Sequence, residues 1–442
     1  MSNQFRHYVK ELLNIALPII MGNLGFILIG AGDVLIAGRH STDTLAAISI
    51  ATAITNCIQT FGIGLIASVS PLLSNYRGER KSAKKYFYPS IKFSMLLGFI
   101  IMLAVLAFIP LIDFMKFEAN LVPLIKEYMF VTAFATFGGY LHAALKEFLQ
   151  AFEIVLVPNL VTVFSVFLNV ILNIVLVLGW GPIPSLGVLG LAIASFLVRY
   201  FMGLALLIYC FRIMKFRNYE EFDYYKSLLK IGLPISLAIM VEFIAFNSVA
   251  IIMGRVAGIY AAAQNLICTL TTISFMVPLA ISNAIAVKVG FANGAENFYD
   301  LKRYSFVGLV MSVGFMLCSS VVFSSFPEFL VGLFTIDPKL IEISVPVLYI
   351  LSIFQVFDGL QVALAGIFKG IKKTGVVLLS NFTAYWLLFL PLGYSLAFKY
   401  NLQLKGFWLG LLIAAITLCI IMLSFITKYL KELKPKSVAT NN

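Results

Sequence analysis

Three acidic residues lie within otherwise apolar stretches of the sequence, where ionised groups are rare. Asp33 lies in IGAGDVLIAG, Glu242 in AIMVEFIAF and Asp358 in FQVFDGLQVA. If these stretches cross a membrane, each charge costs about 2.5–3.5 kcal/mol at the membrane centre unless it faces a cavity or a partner. A carboxylate in such a place can take up a proton or bind a hard cation through oxygen. The three acids therefore predict sites for H⁺ or Na⁺, and the alternative for each is a structural polar contact between helices.

Three uncharged polar residues extend this set. Asn169 and Asn173 are four residues apart, so they lie on one face of a helix. Ser195 adds a hydroxyl in the next apolar stretch. We expect all three to point into the same cavity as Asp33. The alternative is an amide contact between helices, which apolar helices also use.

Motifs for other kinds of chemistry are missing from the sequence. There is no G-x-x-x-x-G-K-[ST] motif for an ATP-binding cassette and no G-x-S-x-G motif for a serine hydrolase. The three histidines are widely separated, and the five cysteines lie in apolar runs without a C-x-x-C pair. The sequence therefore predicts no enzyme active site and no bound cofactor, and it favours an ion gradient as the source of energy.

The composition places these residues in a membrane protein. Of the 442 residues, 61% are hydrophobic and only 12% are charged, whereas soluble domains average roughly 45–50% apolar and about 25% charged residues. This excludes a soluble enzyme and a disordered chain. The formal net charge is +12, which would suggest nucleic acid in a soluble protein. In a membrane protein it is typical of basic cytoplasmic loops, so we expect no nucleic-acid partner.

The apolar residues fall into twelve runs, each close to the roughly 20 residues that a helix needs to cross a bilayer. This length favours helices over the shorter alternating strands of a membrane barrel. The predicted spans are 13–37, 45–73, 88–112, 122–147, 154–179, 187–211, 227–254, 260–288, 304–326, 340–368, 374–398 and 404–428.

The basic residues predict the orientation of these spans. An even number of spans puts both termini on one side. The loops and ends on that side carry 22 Lys and Arg residues, and the loops on the other side carry seven. Since cytoplasmic loops are the basic ones, both termini are predicted to be cytoplasmic, in the plasma (inner) membrane.

The sequence also repeats itself. LLNIALPI at 12–19 returns as LLKIGLPI at 228–235, and the same shift in numbering aligns Gly38-Arg39 with Gly254-Arg255 and Gly78 with Gly294. Parallel repeats of six spans are typical of secondary transporters. They predict an N-lobe at 1–211, a cytoplasmic linker at 212–226, a C-lobe at 227–429 and a cytoplasmic tail at 430–442.

The sequence resembles the multidrug and toxic compound extrusion (MATE) family. The first half carries GDVLIAGRHSTDTLAAISIATAI, ALKEFLQAFEIVLVP and FLNVILNIVLVLG. The second half carries IGLPISLAIMVEFIAFN, VFDGLQVALAGIFKGIKKT, YWLLFLPLGY and KGFWLG. The resemblance covers nearly the whole chain, and the pairing of Glu242 with Asp358 points to the NorM-like branch.

This resemblance implies two pseudo-symmetric six-helix lobes that export bulky organic cations in exchange for Na⁺ or H⁺. It implies a cation site, including a possible Na⁺ site, at Glu242 and Asp358 in the C-lobe. It also implies a cation or proton site in the N-lobe, formed by Asp33, Asn169, Asn173 and Ser195. Pro18 matches a proline near which some members are proposed to bend the first helix.

The sequence departs from the family pattern at three positions. Some members have Asp where this chain has Asn173, which lowers the charge of the N-lobe site. Two tyrosines near the family's C-lobe site are Phe275 and Phe354 in this chain. Since each loses a hydroxyl, direct Na⁺ ligation there is disfavoured, which favours H⁺ or the N-lobe site.

The predicted function is a monomeric antiporter for small organic compounds. Aromatic side chains can attract cations, and we expect Phe275, Phe354, Phe357 and Tyr385 to line the substrate cavity, with ordinary helix packing as the alternative. Two other functions stay open, the export of one metabolite or siderophore and the flipping of a lipid-linked saccharide. A flippase needs a cationic cavity for phosphate. The charged residues within the spans here are mainly acidic, and Arg199 is the basic exception.

Overall fold

The computed structural model describes residues 2–182, 184–214 and 222–432. In these ranges, twelve helices are long and apolar enough to cross a membrane, which confirms the predicted all-helical class and the number of spans. A short helix, Pro327–Gly332, lies between the ninth and the tenth. The twelve are α1 Gln4–His40, α2 Thr42–Gly78, α3 Ala83–Met115, α4 Leu121–Ala151, α5 Leu156–Gly179, α6 Gly187–Ile213, α7 Phe222–Gly254, α8 Gly258–Gly294, α9 Phe298–Ser325, α10 Pro338–Gly370, α11 Thr374–Lys399 and α12 Gln403–Glu432.

The helices extend beyond the apolar runs that predict them. The run at 13–37 belongs to Gln4–His40, and the run at 45–73 belongs to Thr42–Gly78 with a turn at 67–68. Hydropathy marks only the apolar part of a helix, whereas the backbone hydrogen bonds continue into its polar ends.

Polar residues mark several helix starts. Ser41 accepts a hydrogen bond from the Thr44 amide over 3.0 Å at the start of α2. At the start of α10, Asp337 accepts from the Lys339 amide over 3.0 Å, and Pro338 occupies the first turn. Such caps satisfy backbone amides that have no partner inside the helix, so each of these apolar helices begins at a defined residue.

The sequence repeat is visible in the backbone. Arg80 and Glu296, which occupy equivalent positions of the repeat, both adopt left-handed φ angles, of 58° and 53°, just after α2 and α8. Glu153 and Lys372 do the same after α4 and α10, with φ angles of 63° and 59°. The second and fourth spans of each half therefore end in the same backbone conformation.

The chain divides into two compact units. The N-unit comprises residues 17–73 and 82–236, and the C-unit comprises the described residues of 1–16, 74–81 and 237–442. The sequence-based lobes at 1–211 and 227–429 stay a prediction. Residues 215–221 of the predicted linker and 433–442 of the predicted tail lie outside the described residues, whereas 212–213 and 222–226 are helical.

The first turns of α1 are anchored in the C-unit by polar contacts. The Tyr8 hydroxyl donates to Asp300 over 2.6 Å. Lys288 lies 3.3 Å from the Glu11 carboxylate, to which the Tyr304 hydroxyl also donates. These contacts tie the start of α1 to α8 and α9.

The first turns of α7 are anchored in the N-unit in a related way. Tyr224, which occupies the repeat position equivalent to Tyr8, has its hydroxyl 2.6 Å from that of Ser90 and its ring stacked on Tyr86 at 4.6 Å. In each half of the sequence, the same repeat position therefore supplies a tyrosine that fixes the start of the first helix.

Candidate functional site

The N-unit brings Asp33 together with two buried amides. Asp33 lies on α1 and is half-buried, while Asn169 and Asn173 on α5 are fully buried. The amide nitrogens donate to Asp33 Oδ1 over 3.0 Å from Asn169 and 2.7 Å from Asn173. The four-residue spacing on α5 places both amides against one carboxylate. Ser195 on α6 lies close to this carboxylate.

The two asparagines are hydrogen-bonded to each other, and one side-chain oxygen has no hydrogen-bond partner among the described residues. The Asn173 amide also donates to Asn169 Oδ1 over 3.2 Å. Asn173 Oδ1 is buried and has no hydrogen-bond partner among the described residues. A buried polar atom without a partner is costly. The arrangement thus offers carboxylate and amide oxygens, the ligand type of hard cations, as well as donors for an ionised Asp33.

The C-unit holds the other two acids in one hydrogen-bonded cluster. Glu242 lies on α7, and its carboxylate accepts from the Tyr385 hydroxyl over 3.3 Å and from the Asn381 amide over 3.5 Å. Both partners lie on α11. Asn381 also donates to the Ala238 carbonyl over 3.4 Å, one turn before the acid.

A glutamine joins Asp358 to this cluster. The Gln361 amide donates to Asp358 Oδ1 over 2.8 Å and to the Tyr385 oxygen over 3.1 Å. Asp358 is 3% exposed and Gln361 is 4% exposed, whereas Glu242 is half-buried. Gln361 and the fully buried Tyr385 connect the two acids. The cluster combines two carboxylates with neutral donors and can hold a proton or a cation between them.

A π-helical segment lies next to each group. Asn173 immediately precedes the π-helical residues Ile174–Gly179 of α5. Asn381 immediately precedes the π-helical residues Phe382–Phe389 of α11, which include Tyr385. Wider turns of this kind are often found at functional sites, because they change which side chains share one helix face.

Sequence reasoning missed Gln361 and Asn381. Gln361 follows Asp358 by three residues, a spacing that puts both on one face of α10, so this signal was present in the sequence. Asn381 has no such signal, because its contact with Glu242 joins two helices that are far apart in sequence. Tyr385 was predicted as aromatic cavity surface, and the structure places its hydroxyl on Glu242.

The other predicted cavity residues have different surroundings. Phe354 is 1% exposed, and its ring packs edge-on against Trp408 at 5.8 Å, which is a core position. Phe275 and Phe357 are half-buried. The substrate-cavity role of this set stays a prediction, as does the hinge at Pro18, which lies inside the continuous helix α1.

Within the described residues, no group of three or more His, Cys, Asp or Glu side chains is arranged to hold a metal ion. Twelve apolar helices with paired acids, amides and a tyrosine inside them define a polytopic membrane protein with buried ionisable sites. Ionisable residues inside membrane spans are typical of proteins with ion or substrate pathways.

Comparisons with known proteins give the family. Residues 18–175 and 234–395 match the family model described as MatE, so the chain belongs to the MatE family of membrane transporters. It is 27% identical over 421 residues to the probable multidrug resistance protein NorM of Bacillus subtilis (strain 168), covering 92% of each chain. It is 29% identical over 435 residues to the protein of the same name in Mesorhizobium japonicum, covering 93% of this chain and 91% of the other.

A solved structure shows the same fold. The outward-facing conformation of a multidrug resistance MATE family transporter of the MOP superfamily matches with a TM-score of 0.88. The match covers 96% of each chain at 21% sequence identity. The predicted family and twelve-helix fold are therefore confirmed.

Proposed function

We propose that this protein is a cation-coupled antiporter that exports bulky organic cations by alternating access. The observation that carries the proposal is the cluster in which Glu242 and Asp358 are joined through Tyr385 and Gln361. Two carboxylates in one cluster inside the protein repel each other when both are ionised. A proton, a Na⁺ ion or an organic cation relieves that repulsion, so inward cation and outward substrate compete for the same groups.

Asp33 provides a second coupling site in this proposal. Its carboxylate accepts two amide hydrogen bonds from Asn169 and Asn173, and a proton or Na⁺ on Asp33 would weaken or rearrange them. Two separate sites allow the ion and the substrate to be held in different units. The names of the NorM relatives support multidrug substrates for this chain.

We also propose that the protein lies in the plasma (inner) membrane with both termini in the cytoplasm. The excess of 22 basic residues over seven across the two predicted sides supports cytoplasmic termini in the plasma (inner) membrane. The working unit is proposed to be a monomer without a bound cofactor. Protease treatment of sealed right-side-out vesicles should leave a C-terminal epitope tag intact, and cleavage of the tag without lysis would reverse the assignment.

Reconstituted liposomes test the coupling. The protein is placed in liposomes, Na⁺ and pH gradients are imposed separately, and transport of the cationic dye rhodamine 123 is followed by fluorescence. Acceleration by at least one gradient supports the antiport. A response to neither gradient would falsify it.

Variants of the acids test the site. The double variant E242Q/D358N should lose gradient-driven transport when it is present in the same amount as the wild-type protein. The control E328Q/E342Q removes two carboxylates from exposed positions and should keep wild-type rates. Full gradient-driven transport in E242Q/D358N would rule out the C-unit cluster as the coupling site and leave Asp33 as the candidate.

A further inference from the structure

A basic residue lies in the middle of α6, where the proposed function assigns it no task. Arg199 is near the centre of Gly187–Ile213 and is half-buried. A guanidinium stays ionised in proteins, and a charge at that depth is stable only when it faces the protein interior. The side chain therefore contributes a fixed positive charge to the inside of the N-unit.

The groups that contact Arg199 hold its stem and give it an uncharged hydrogen-bond partner. On α4, a side-chain carbon at Gly138 would lie 2.7 Å from the Arg199 backbone, and one at Gly139 would lie 3.6 Å from Cδ. These two glycines allow α4 to pack directly on the arginine. The Arg199 Nη1 donates to Gln59 Oε1 over 3.2 Å, and Gln59 is 7% exposed. This partner is uncharged.

A guanidinium carries five N–H donors in a planar fork. Within the described ranges, Arg199 has no ion pair with a carboxylate closer than 4.0 Å, and Gln59 is its hydrogen-bond partner. An ionised group with a neutral partner in a low-dielectric interior lacks most of its compensation. A carboxylate is well suited to compensate the Arg199 charge, because its two oxygens match the planar N–H donors of the guanidinium.

Asp33 lies near this charge without pairing with it. Ser195 precedes Arg199 by one helical turn on the same face of α6 and lies close to Asp33. Arg199 is within electrostatic range of the Asp33 carboxylate, yet these two described side chains form no ion pair within 4.0 Å. One region of the N-unit therefore contains both a carboxylate and a guanidinium that do not form an ion pair with each other.

We propose that Arg199 is a specificity-determining residue that binds an anionic group of the transported compound. Asp33 takes the cationic end of the same molecule, so the N-unit site accepts zwitterionic organic compounds as well as simple cations. This inference rests on the proposed function and adds a substrate class to it. The competing explanation is that Arg199 is only a structural counter-charge for Asp33, which predicts equal effects on all substrates.

Two dyes separate these explanations. Rhodamine 110 and rhodamine 123 share one cationic ring system, but rhodamine 110 has a free carboxylate where rhodamine 123 has a methyl ester. Binding of each dye to the full-length protein in detergent is measured by fluorescence anisotropy. In R199Q, the dissociation constant for rhodamine 110 should rise by about tenfold or more relative to that for rhodamine 123, as expected for a lost charge-assisted hydrogen bond.

Two further variants can test the inference even if R199Q does not fold. Q59E gives the guanidinium a carboxylate partner within the protein and should cause the same selective loss while Arg199 is present. R199K keeps the charge but not the fork, so it should give an intermediate loss. R39Q removes an arginine from an exposed position at the end of α1 and should leave the ratio of the two dissociation constants unchanged.

Equal changes for both dyes in R199Q, or an unchanged ratio in Q59E, would overturn the inference. This outcome differs from failure of the proposed function. Binding in detergent needs no gradient, whereas rhodamine 123 transport in liposomes does. If the dissociation constants change selectively in R199Q and Q59E as expected, but wild-type protein responds to no gradient, the result would contradict the antiport alone.

Discussion

The Tyr385 hydroxyl lies between two acceptors, Glu242 Oε1 at 3.3 Å and the side-chain oxygen of Gln361 at 3.4 Å. A hydroxyl has one proton and donates to one strong acceptor at a time. The direction of this hydrogen bond therefore depends on whether Glu242 is ionised. Because Gln361 also donates to Asp358, two neutral side chains connect the two acids by hydrogen bonds.

Replacing this hydroxyl should uncouple the two acids without removing either one. We expect Y385F to lower gradient-driven transport about tenfold and to cost about 1 kcal/mol of stability, the usual value of one lost hydrogen bond. Transport of rhodamine 123 in liposomes and thermal unfolding check the two effects. Y394F, at an exposed tyrosine of the same helix, is the control. Equal rates in Y385F and Y394F would show that the hydroxyl has no part in coupling.

A second carboxylate beside Asp33 should make the N-unit depend on a cation. N173D removes the 2.7 Å amide hydrogen bond to Asp33 and the 3.2 Å one to Asn169, leaving acceptors facing each other. We expect a loss of about 1–3 kcal/mol of stability in the absence of Na⁺, from unsatisfied and repelling groups. Na⁺ should restore part of it, since carboxylate and amide oxygens bind hard cations.

Thermal unfolding in sodium chloride and in choline chloride measures this effect. N401D adds the same charge at an exposed residue between α11 and α12 and should show no specific response to Na⁺. A sodium response of the same size in both variants would mean that residue 173 does not contribute to a cation site.

The Asp33 group shows what local spacing predicts. The four-residue spacing places Asn169 and Asn173 on one helix face, and in the structure both amides donate to the Asp33 carboxylate. The pairing of Glu242 with Tyr385 depends on how α7 and α11 pack, and on a π-helical segment that changes the register of α11. A pattern of 3.6 residues does not contain that information. The twelve spans were predictable because a helix needs about 20 largely apolar residues to cross the membrane.

Acid should weaken an ion-pair cluster just after α2. Glu79 lies 2.7 Å from the Lys81 ammonium and 3.3 Å from that of Lys372. Burial raises the pKa of Glu79, but the hydrogen bond from Lys81 and the charge of Lys372 outweigh it, so its pKa in the folded protein is below the ordinary value. A depressed pKa stabilises the fold above the unfolded-state pKa of about 4.3, and this contribution is lost as the pH falls through the folded-state pKa.

The variant E79Q isolates this contribution. Wild-type protein should be more stable than E79Q at pH 7, and the difference should shrink progressively below about pH 4. Unfolding midpoints across this pH range measure it. E342Q, at an exposed position of α10, should follow the wild type. A constant difference between wild type and E79Q at every pH would contradict the ion-pair explanation.

The glycine pair of the sequence repeat marks a close backbone contact in the C-unit that a substitution can test. A side-chain carbon at Gly294 would lie less than 3.0 Å from three backbone atoms of Asn75, and one at Gly78 would meet the backbone from Phe291 to Ala295 as closely. Backbone atoms cannot rotate away, so G294A must separate the two segments. The Asn75 amide that donates to the Gly370 carbonyl over 2.8 Å would move with them.

We therefore expect G294A to lose about 1–3 kcal/mol of stability, the usual cost of overpacking. Gly314, inside α9, has no atom within 4 Å of the position of an added carbon. G314A should consequently be neutral or gain up to about 1 kcal/mol, because alanine loses less backbone entropy in a helix. Thermal unfolding of the two variants in one detergent gives the comparison. If G294A were as stable as G314A, the segments at residues 75 and 294 would not be in rigid backbone contact, and the matched glycines of the repeat would need another explanation.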